Sequence, residues 1–133
     1  MKYLRANIVK LMVEFFGEDM RRIEHALSVL RHAERIMDEQ GDCDPDILVA
    51  CALLHDVGIR PSEEKLGYNN GKTQEEYGPP VAERLLRSIK FPEEKIQIVK
   101  DIVGNHHSKS MFDYPELEIL KKADRIVNRD KDA

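Results

Sequence analysis

The sequence predicts an all-α fold of about six helices. Apolar residues recur at helical spacing over most of the chain, and capping residues or prolines precede most of these stretches. No β-hairpin signal, internal repeat or low-complexity segment is visible. Charged residues make up 35% of the chain and hydrophobic residues 41%, as in proteins rich in amphipathic helix. At 133 residues the chain can bury its own core, so we expect a single domain over residues 1–133.

Two helices are predicted in the first forty residues. Apolar residues at helical spacing indicate the first over residues 3–16, and Gly17 ends it. Asp19 is placed to cap the second, which runs from about residue 20 to residue 40 and ends at Gly41. The second helix carries two apolar stripes, so it should lie near the centre of the fold.

A third helix should begin at Asp44-Pro45-Asp46, which combines a capping acid, a first-turn proline and a second acid near the positive end of the helix dipole. It runs to about His55 through an uncharged stretch, residues 47–54. Several glycines and prolines then interrupt the pattern over residues 57–80. This segment is predicted to be a long irregular connection, a kind of segment that often binds ligands.

Three more helices are predicted in the second half of the chain. One begins near Pro80 and ends near Lys90, and the next begins at Pro92 and leads to Gly104. The last begins at Pro115, after a loop. Five residues could form an exposed apolar patch, which leaves a homodimer open. They are Phe15, Phe16, Met111, Phe112 and Tyr114.

The composition argues against several classes of partner. The net charge of −4 gives no sign that the chain binds a nucleic-acid polymer. No apolar run approaches the roughly 20 residues of a membrane span, so no membrane partner is expected. Cys43 and Cys51 form no metal-type pair and the first residues do not resemble a signal peptide. We therefore expect a cytoplasmic protein.

Several histidines and two aspartates occupy positions that helix packing should turn inward. His55-Asp56 ends an uncharged run, where a buried charge is costly unless it is paired, and Asp124 borders the apolar face of the last helix. A single inward histidine is usually a hydrogen-bonded core residue, and we interpret His32 as a core or rim residue. Taken together, such groups on packed helices are readily satisfied around one shared cation. The five histidines are His25, His32, His55, His106 and His107.

Three segments resemble the HD-domain superfamily of metal-dependent phosphohydrolases, whose pattern is H…HD…D on a helical bundle. The segments are Glu24-His25-Ala26-Leu27-Ser28-Val29, Leu53-Leu54-His55-Asp56-Val57-Gly58 and Lys122-Ala123-Asp124-Arg125-Ile126, within a core motif region of residues 20–128. The resemblance implies that His25, His55, Asp56 and Asp124 bind one divalent metal ion, with Mn, Fe, Co, Ni, Mg and Zn not distinguished. It implies cleavage of a phosphate ester of a small molecule by a metal-activated water, with a nucleotide as the favoured substrate.

Further roles are predicted around this site. Asp56 would serve as ligand and proton acceptor, His106 as a phosphate donor or proton shuttle, and Glu75 as an acid–base group, although Glu75 is equally explained as a first-turn acid of the next helix. Two-metal members of the family often carry a histidine four residues before a glycine, where this chain has Gln74 before Gly78. An amide is a poor transition-metal ligand, which favours a single ion. Cations of the central connection and the later loop are expected to bind the substrate phosphate: Arg60, Lys72 and Lys109.

Two other functions stay open at this point. One is a non-catalytic metal-binding or ligand-sensing helical module, and the other is di-iron oxygen chemistry, against which Gln74 argues. The complete H…HD…D set favours the hydrolase, because a module without catalysis could lose these residues at little structural cost.

Overall fold

The computed structural model describes residues 2–132, with side chains up to residue 130. This range contains seven α-helices and no β-strand, which confirms the all-α prediction. The helices are α1 (Leu4–Phe16), α2 (Met20–Gln40), α3 (Pro45–Leu54), α4 (Ile59–Leu66), α5 (Gly71–Ser88), α6 (Glu93–Val103) and α7 (Pro115–Asp132). No helix in the described range is long and apolar enough to cross a membrane.

Helix α3 is the innermost element. Every residue from Ile47 to Leu54 is buried, and α1, α2, α6 and α7 all pack against it. Because this helix is apolar on every side, only a fully surrounded position removes its surface from water. The Asp44 carboxylate caps it and accepts hydrogen bonds from the N–H groups of Asp46 and Ile47, at 2.9 and 3.3 Å. The last turn of α3 therefore delivers His55 into the interior of the protein.

Helices α2 and α7 pack against each other and against α3. Helix α2 has the bounds expected from the sequence: Asp19 caps its start by accepting from the Arg22 N–H at 3.3 Å, and Gly41 ends it in the left-handed conformation, with φ 70°. The buried face of α2 includes His25, and the buried face of α7 adjoins Asp124. The packing of the three helices thus sets His25, His55 and Asp124 at one point.

The prediction of an irregular connection over residues 57–80 was wrong. Helix α4 occupies its first part, and α5 begins at Gly71, well before the predicted start at Pro80. Pro61 fits α4 because it lies in the first turn, where its missing N–H has no helical acceptor. Helix α5 begins with a reciprocal cap: the Asn70 side chain accepts from the Thr73 N–H at 2.9 Å, and the Thr73 hydroxyl accepts from the Asn70 N–H at 3.0 Å.

Two glycines let α5 lie close to both α4 and α6. A Cβ atom on Gly58 would lie 2.5 Å from the Gln74 carbonyl oxygen and 2.7 Å from the Gly78 nitrogen. A Cβ atom on Gly78 would lie 2.7 Å from a methyl carbon of Val103 on α6. The absence of these side chains brings α5, with Gln74 and Glu75, next to the turn that follows His55.

The predicted apolar patch does not include Phe16, which is buried in the core and makes a T-shaped contact with the Phe15 ring, with centroids 5.3 Å apart. The side chains of Met111 and Phe112 are exposed, and the Phe112 ring stacks on that of Tyr114. A homodimer through this surface stays a prediction.

Candidate metal centre

Four side chains that are far apart in the sequence meet between α2, the end of α3 and α7. His25 Nε2 lies 3.0 Å from Asp124 Oδ1 and 3.5 Å from Asp56 Oδ2. His55 Nε2 lies 3.3 Å from Asp56 Oδ2 and 3.6 Å from Asp124 Oδ1. The structure therefore brings all four predicted metal ligands together, with two imidazole nitrogens facing two carboxylate oxygens.

These separations suit the ligands of one divalent ion. Histidine nitrogen and carboxylate oxygen lie about 2.0–2.2 Å from such an ion, so neighbouring ligand atoms lie about 3–3.6 Å apart. The four distances between the facing atoms, 3.0 to 3.6 Å, fall in this range. The spacing of the donor atoms and their chemistry both fit a divalent metal ion.

His55 has the orientation of a metal ligand. Its ring is fully buried, and Nδ1 donates to the carbonyl oxygen of Ala52 at 2.8 Å, as in metal sites where a backbone carbonyl fixes the imidazole. Its Nε2 is buried and has no hydrogen-bond partner in the described part of the chain. Buried polar atoms are almost always satisfied, so this nitrogen marks a place where a ligand fits.

In the absence of an ion, a proton balances part of the charge at this site. Burial lowers the pKa of His55, but the carboxylates of Asp56 and Asp124 outweigh it and raise that pKa to about 9. Burial raises the pKa of Asp124, but the hydrogen bond from His25 and the charge of the neighbouring His55 outweigh it and hold that pKa well below its usual range. At neutral pH the metal-free site thus contains a protonated His55, and a metal ion must displace this proton to bind.

The raised pKa of His55 predicts how the metal-free protein responds to pH. A group with a folded-state pKa above its unfolded value of 6.5 stabilises the fold fully below that pH, and this contribution disappears as the pH rises through about 9. We expect the free energy of unfolding of chelator-treated protein to fall by roughly 2–3 kcal/mol between these values. Addition of Mn²⁺ near pH 7.5 should release about one proton per ion. Denaturant titrations at several pH values test the first prediction, and proton-release measurements in weak buffer test the second. A free energy of unfolding that does not change between pH 6.5 and about 9 would contradict the first.

A second group of possible ligands lies beside the first and shares Asp56 with it; its other members are His106 and His107. His106 is buried and donates from Nδ1 to the Val103 carbonyl oxygen at 2.7 Å. Its Nε2 lies 3.9 Å from Asp56 Oδ1 and has no hydrogen-bond partner among the described residues. Burial, followed by the nearby His55 and His107, lowers the pKa of His106 to about 3, so the ring is neutral.

Gln74 occupies one nitrogen of His107. Its side-chain oxygen accepts a hydrogen bond from His107 Nε2 at 2.6 Å, and its amide nitrogen donates to Asn69 Oδ1 at 2.9 Å. A metal-ligating nitrogen must offer a lone pair, so the proton that Nε2 shares with Gln74 removes this atom as a ligand. The hydrogen bond to Gln74 thus removes one of the two ring nitrogens of His107 from any metal site, and the single ion stays a prediction.

Glu75 lies on α5 and holds the loop that carries the two histidines. Its carboxylate accepts from the backbone N–H of His107 at 3.0 Å and from the Ser108 hydroxyl at 2.6 Å. Both carboxylate oxygens are thus occupied by the loop. This arrangement suits a positioning residue better than the acid–base group predicted from the sequence.

A cavity of about 470 Å³ opens onto the four ligands. Two of its wall residues are Arg21 and Arg22, from the first turn of α2. Arg21 makes no hydrogen bond or ion pair to any described residue, and the Nε atom of Arg22 lies 3.6 Å from the Asp19 carboxylate. Neither residue was predicted from the sequence, although side chains three and four residues before His25 lie on the same helix face as His25. The other described wall residues are His25, Asp56, Ile59, Gln74, His107, Asp124 and Asn128.

The three cations predicted to bind phosphate are not among the described wall residues. Arg60 donates to the carbonyl oxygen of Phe15, and its Nε atom lies 3.7 Å from the Glu64 carboxylate. Lys72 and Lys109 are exposed. The structure therefore gives these three residues no place in the cavity, where Arg21 and Arg22 supply the positive charge.

Comparisons with known proteins agree with this geometry. A family model described as HD domain matches residues 22–129. An uncharacterized protein of Clostridium beijerinckii is 28% identical over 105 residues, which cover 78% of this chain and 62% of the relative. The crystal structure of a predicted HD superfamily hydrolase from an uncultured Thermotogales bacterium has a TM-score of 0.69 and 28% identity, covering 93% of this chain and 67% of that one. The chain thus spans less than two thirds of the curated relative's length.

Proposed function

The chain belongs to the HD domain family, and on this premise we propose that it is a phosphohydrolase that uses one divalent metal ion to cleave a phosphate ester of a small molecule. The observation that carries this proposal is the buried Nε2 of His55, which makes no hydrogen bond to any described residue and faces the carboxylates of Asp56 and Asp124 beside His25. Two imidazoles and two carboxylates at ligand spacing explain why polar groups are buried at the centre of an apolar core.

His25, His55, Asp56 and Asp124 would hold the ion. A divalent ion supplies Lewis-acid activation of water and neutralises charge on the phosphoryl oxygens. The second oxygen of Asp56, Oδ1, points toward His106 and is placed to accept a proton from a water in the cavity. His106 is neutral with its lone pair on Nε2, so it accepts a hydrogen bond from that water and orients it; the ring has no proton on this atom to donate to a phosphate.

The phosphate group of the substrate is placed beside Arg21 and Arg22. Both line the cavity, and a guanidinium binds phosphate oxygens with two parallel hydrogen bonds. The favoured nucleotide substrate stays a prediction, because the described walls contain one apolar residue, Ile59, and no Phe, Tyr or Trp to stack on a base. A compact polar substrate suits these walls better.

Hydrolysis assays with added metal test the proposal. Purified protein would be given a chromogenic phosphate monoester and cyclic nucleotides, with Mn²⁺, Co²⁺, Ni²⁺ or Mg²⁺ in turn. We expect turnover with at least one metal, and its loss on chelation. If every metal and substrate fails while the protein still binds one ion per chain, a metal-binding or ligand-sensing module replaces the enzyme as the explanation.

The role of Glu75 can be separated from direct acid–base catalysis. A glutamine at this position keeps one accepting oxygen but loses the other, so the loop at His107 and Ser108 is held less firmly. We expect Glu75→Gln to lower kcat by roughly tenfold with metal content and the shape of the pH–rate profile unchanged. Glu76→Gln is the matched control, because Glu76 is the exposed neighbour on the same helix. Loss of one limb of the profile would instead identify Glu75 as the acid or base.

A further inference from the structure

A second cavity, of about 270 Å³, meets the first at the candidate metal centre. The two cavities share three wall residues: His107, Asp124 and Asn128. Their remaining described walls differ, since the first is bounded by α2 and the second by α7 and the loop after α6. A ligand at the metal centre can therefore extend into either cavity.

The second cavity has its own pair of cations, Lys121 and Arg125, on either side of Asp124 in α7. The ammonium of Lys121 donates to the carbonyl oxygen of Ser108 at 2.6 Å and to the hydroxyl of Ser110 at 2.7 Å, which fixes it at the wall. Arg125 is exposed and makes no hydrogen bond or ion pair to any residue of the described chain. Its guanidinium is therefore available to a ligand.

The charges of the site match an anion in each cavity. One divalent ion balances the two carboxylates, Asp56 and Asp124. Arg21 and Arg22 then remain in the first cavity, with the Asp19 carboxylate 3.6 Å from Arg22 Nε, and Lys121 and Arg125 remain in the second. A single phosphate monoester brings at most two negative charges and offsets only one of these pairs. Two phosphate groups offset both.

We infer that the substrate is a small molecule with two phosphate groups, an inference that rests on the proposed phosphohydrolase function. The reacting phosphate and the organic part occupy the larger cavity, and the second phosphate lies in the smaller cavity between Arg125 and Lys121. The planar guanidinium of Arg125 gives this phosphate two hydrogen bonds in a fixed orientation. The polar walls of the larger cavity suit a sugar or another polyol as the organic part.

Binding of unreactive phosphonates tests this inference without turnover. Alkylene diphosphonates with one to four methylene groups would be compared with methylphosphonate and butylphosphonate by calorimetry, on full-length protein with Mn²⁺ present. We expect the best diphosphonate to bind roughly 10–100-fold more tightly than either monophosphonate. Arg125→Gln should remove most of this difference, so that the best diphosphonate binds about as tightly as the monophosphonates. Lys122→Gln is the control, because it removes a charge from an exposed neighbour on the same helix.

Equal binding of mono- and diphosphonates, or equal losses in Arg125→Gln and Lys122→Gln, would overturn the inference. Assays of the hydrolysis of fructose 1,6-bisphosphate and fructose 6-phosphate then separate the two-phosphate inference from the proposed phosphohydrolase function. Hydrolysis of both sugar phosphates without any preference for diphosphonates would support the phosphohydrolase and refute the second phosphate site. Preferential diphosphonate binding without hydrolysis of any ester would support the site and refute the enzyme.

Discussion

Replacement of His55 by alanine is expected to abolish metal binding and hydrolysis together. His55 Nε2 has no other partner in the described structure, and it faces both carboxylates of the proposed site. Without this ligand the ion loses one of two imidazoles, and the remaining carboxylates bind any ion weakly and without fixed geometry. We expect metal content to fall from about one ion per chain to almost none. Activity should fall by on the order of 10³-fold or more, the scale of losing metal-assisted catalysis. Elemental analysis measures the metal content, and hydrolysis of the chromogenic phosphate monoester measures the activity.

Two further variants distinguish a lost ligand from a damaged fold. His55→Gln fills most of the space of the buried ring, and we expect it to remain folded while it also loses the metal. His32→Ala removes a histidine from the same chain outside the site; His32 is half-buried, as predicted, and accepts a hydrogen bond from Arg35 at 2.8 Å. The His32→Ala variant should keep both the metal and the activity. Retention of metal by His55→Gln and His55→Ala would remove the basis for the proposed centre.

Replacement of Gly58 by alanine should cause the largest loss of stability among the glycine-to-alanine substitutions in this chain. The new Cβ would collide with the backbone of α5, at the Gln74 carbonyl oxygen and the Gly78 nitrogen, and neither atom can rotate away. Helix α5 must move as a unit, which opens the packing against α4 and the turn that carries Asp56. We expect a cost of about 3 kcal/mol in the free energy of unfolding, measured by denaturant titration.

Gly41 supplies the matched comparison for this variant. An added Cβ there meets no atom within 4 Å, but its backbone φ of 70° is strained for alanine. We expect Gly41→Ala to cost only about 1 kcal/mol. A smaller loss for Gly58→Ala than for Gly41→Ala would show that the close approach of α4 and α5 is not required for stability.

Local signals in the sequence were sufficient for most of the helices. Asp19, Gly41 and Asp44 fixed the limits of α2 and α3, because capping depends on neighbours only a few residues away. The prediction for residues 57–80 was wrong because prolines and glycines were taken as helix breakers. The reciprocal cap between Asn70 and Thr73 was not recognised as the start of α5. Helix α5 includes Pro79 and Pro80 because it packs against α4 and α6, and such long-range packing outweighs local preference.

The candidate site was also predicted only in part. The meeting of His25, His55, Asp56 and Asp124 could be predicted because their segments resemble the H…HD…D pattern, and a shared cation explains polar side chains in an apolar helical context. The roles of Glu75 and Arg60 could not, because their partners, His107 and Phe15, are distant in sequence and only the fold brings them near. Arg21 and Arg22 could have been found from their spacing to His25, once His25 was taken as a ligand.

The central claim is that four side chains hold one divalent ion. The most direct test is a crystal structure of the Mn²⁺-loaded protein, with anomalous scattering data collected near the metal's absorption edge. We expect one strong peak, bonded to the Nε2 atoms of His25 and His55 and to the carboxylates of Asp56 and Asp124. No peak at this position, or a single peak bonded to His106 and His107 instead, would contradict it.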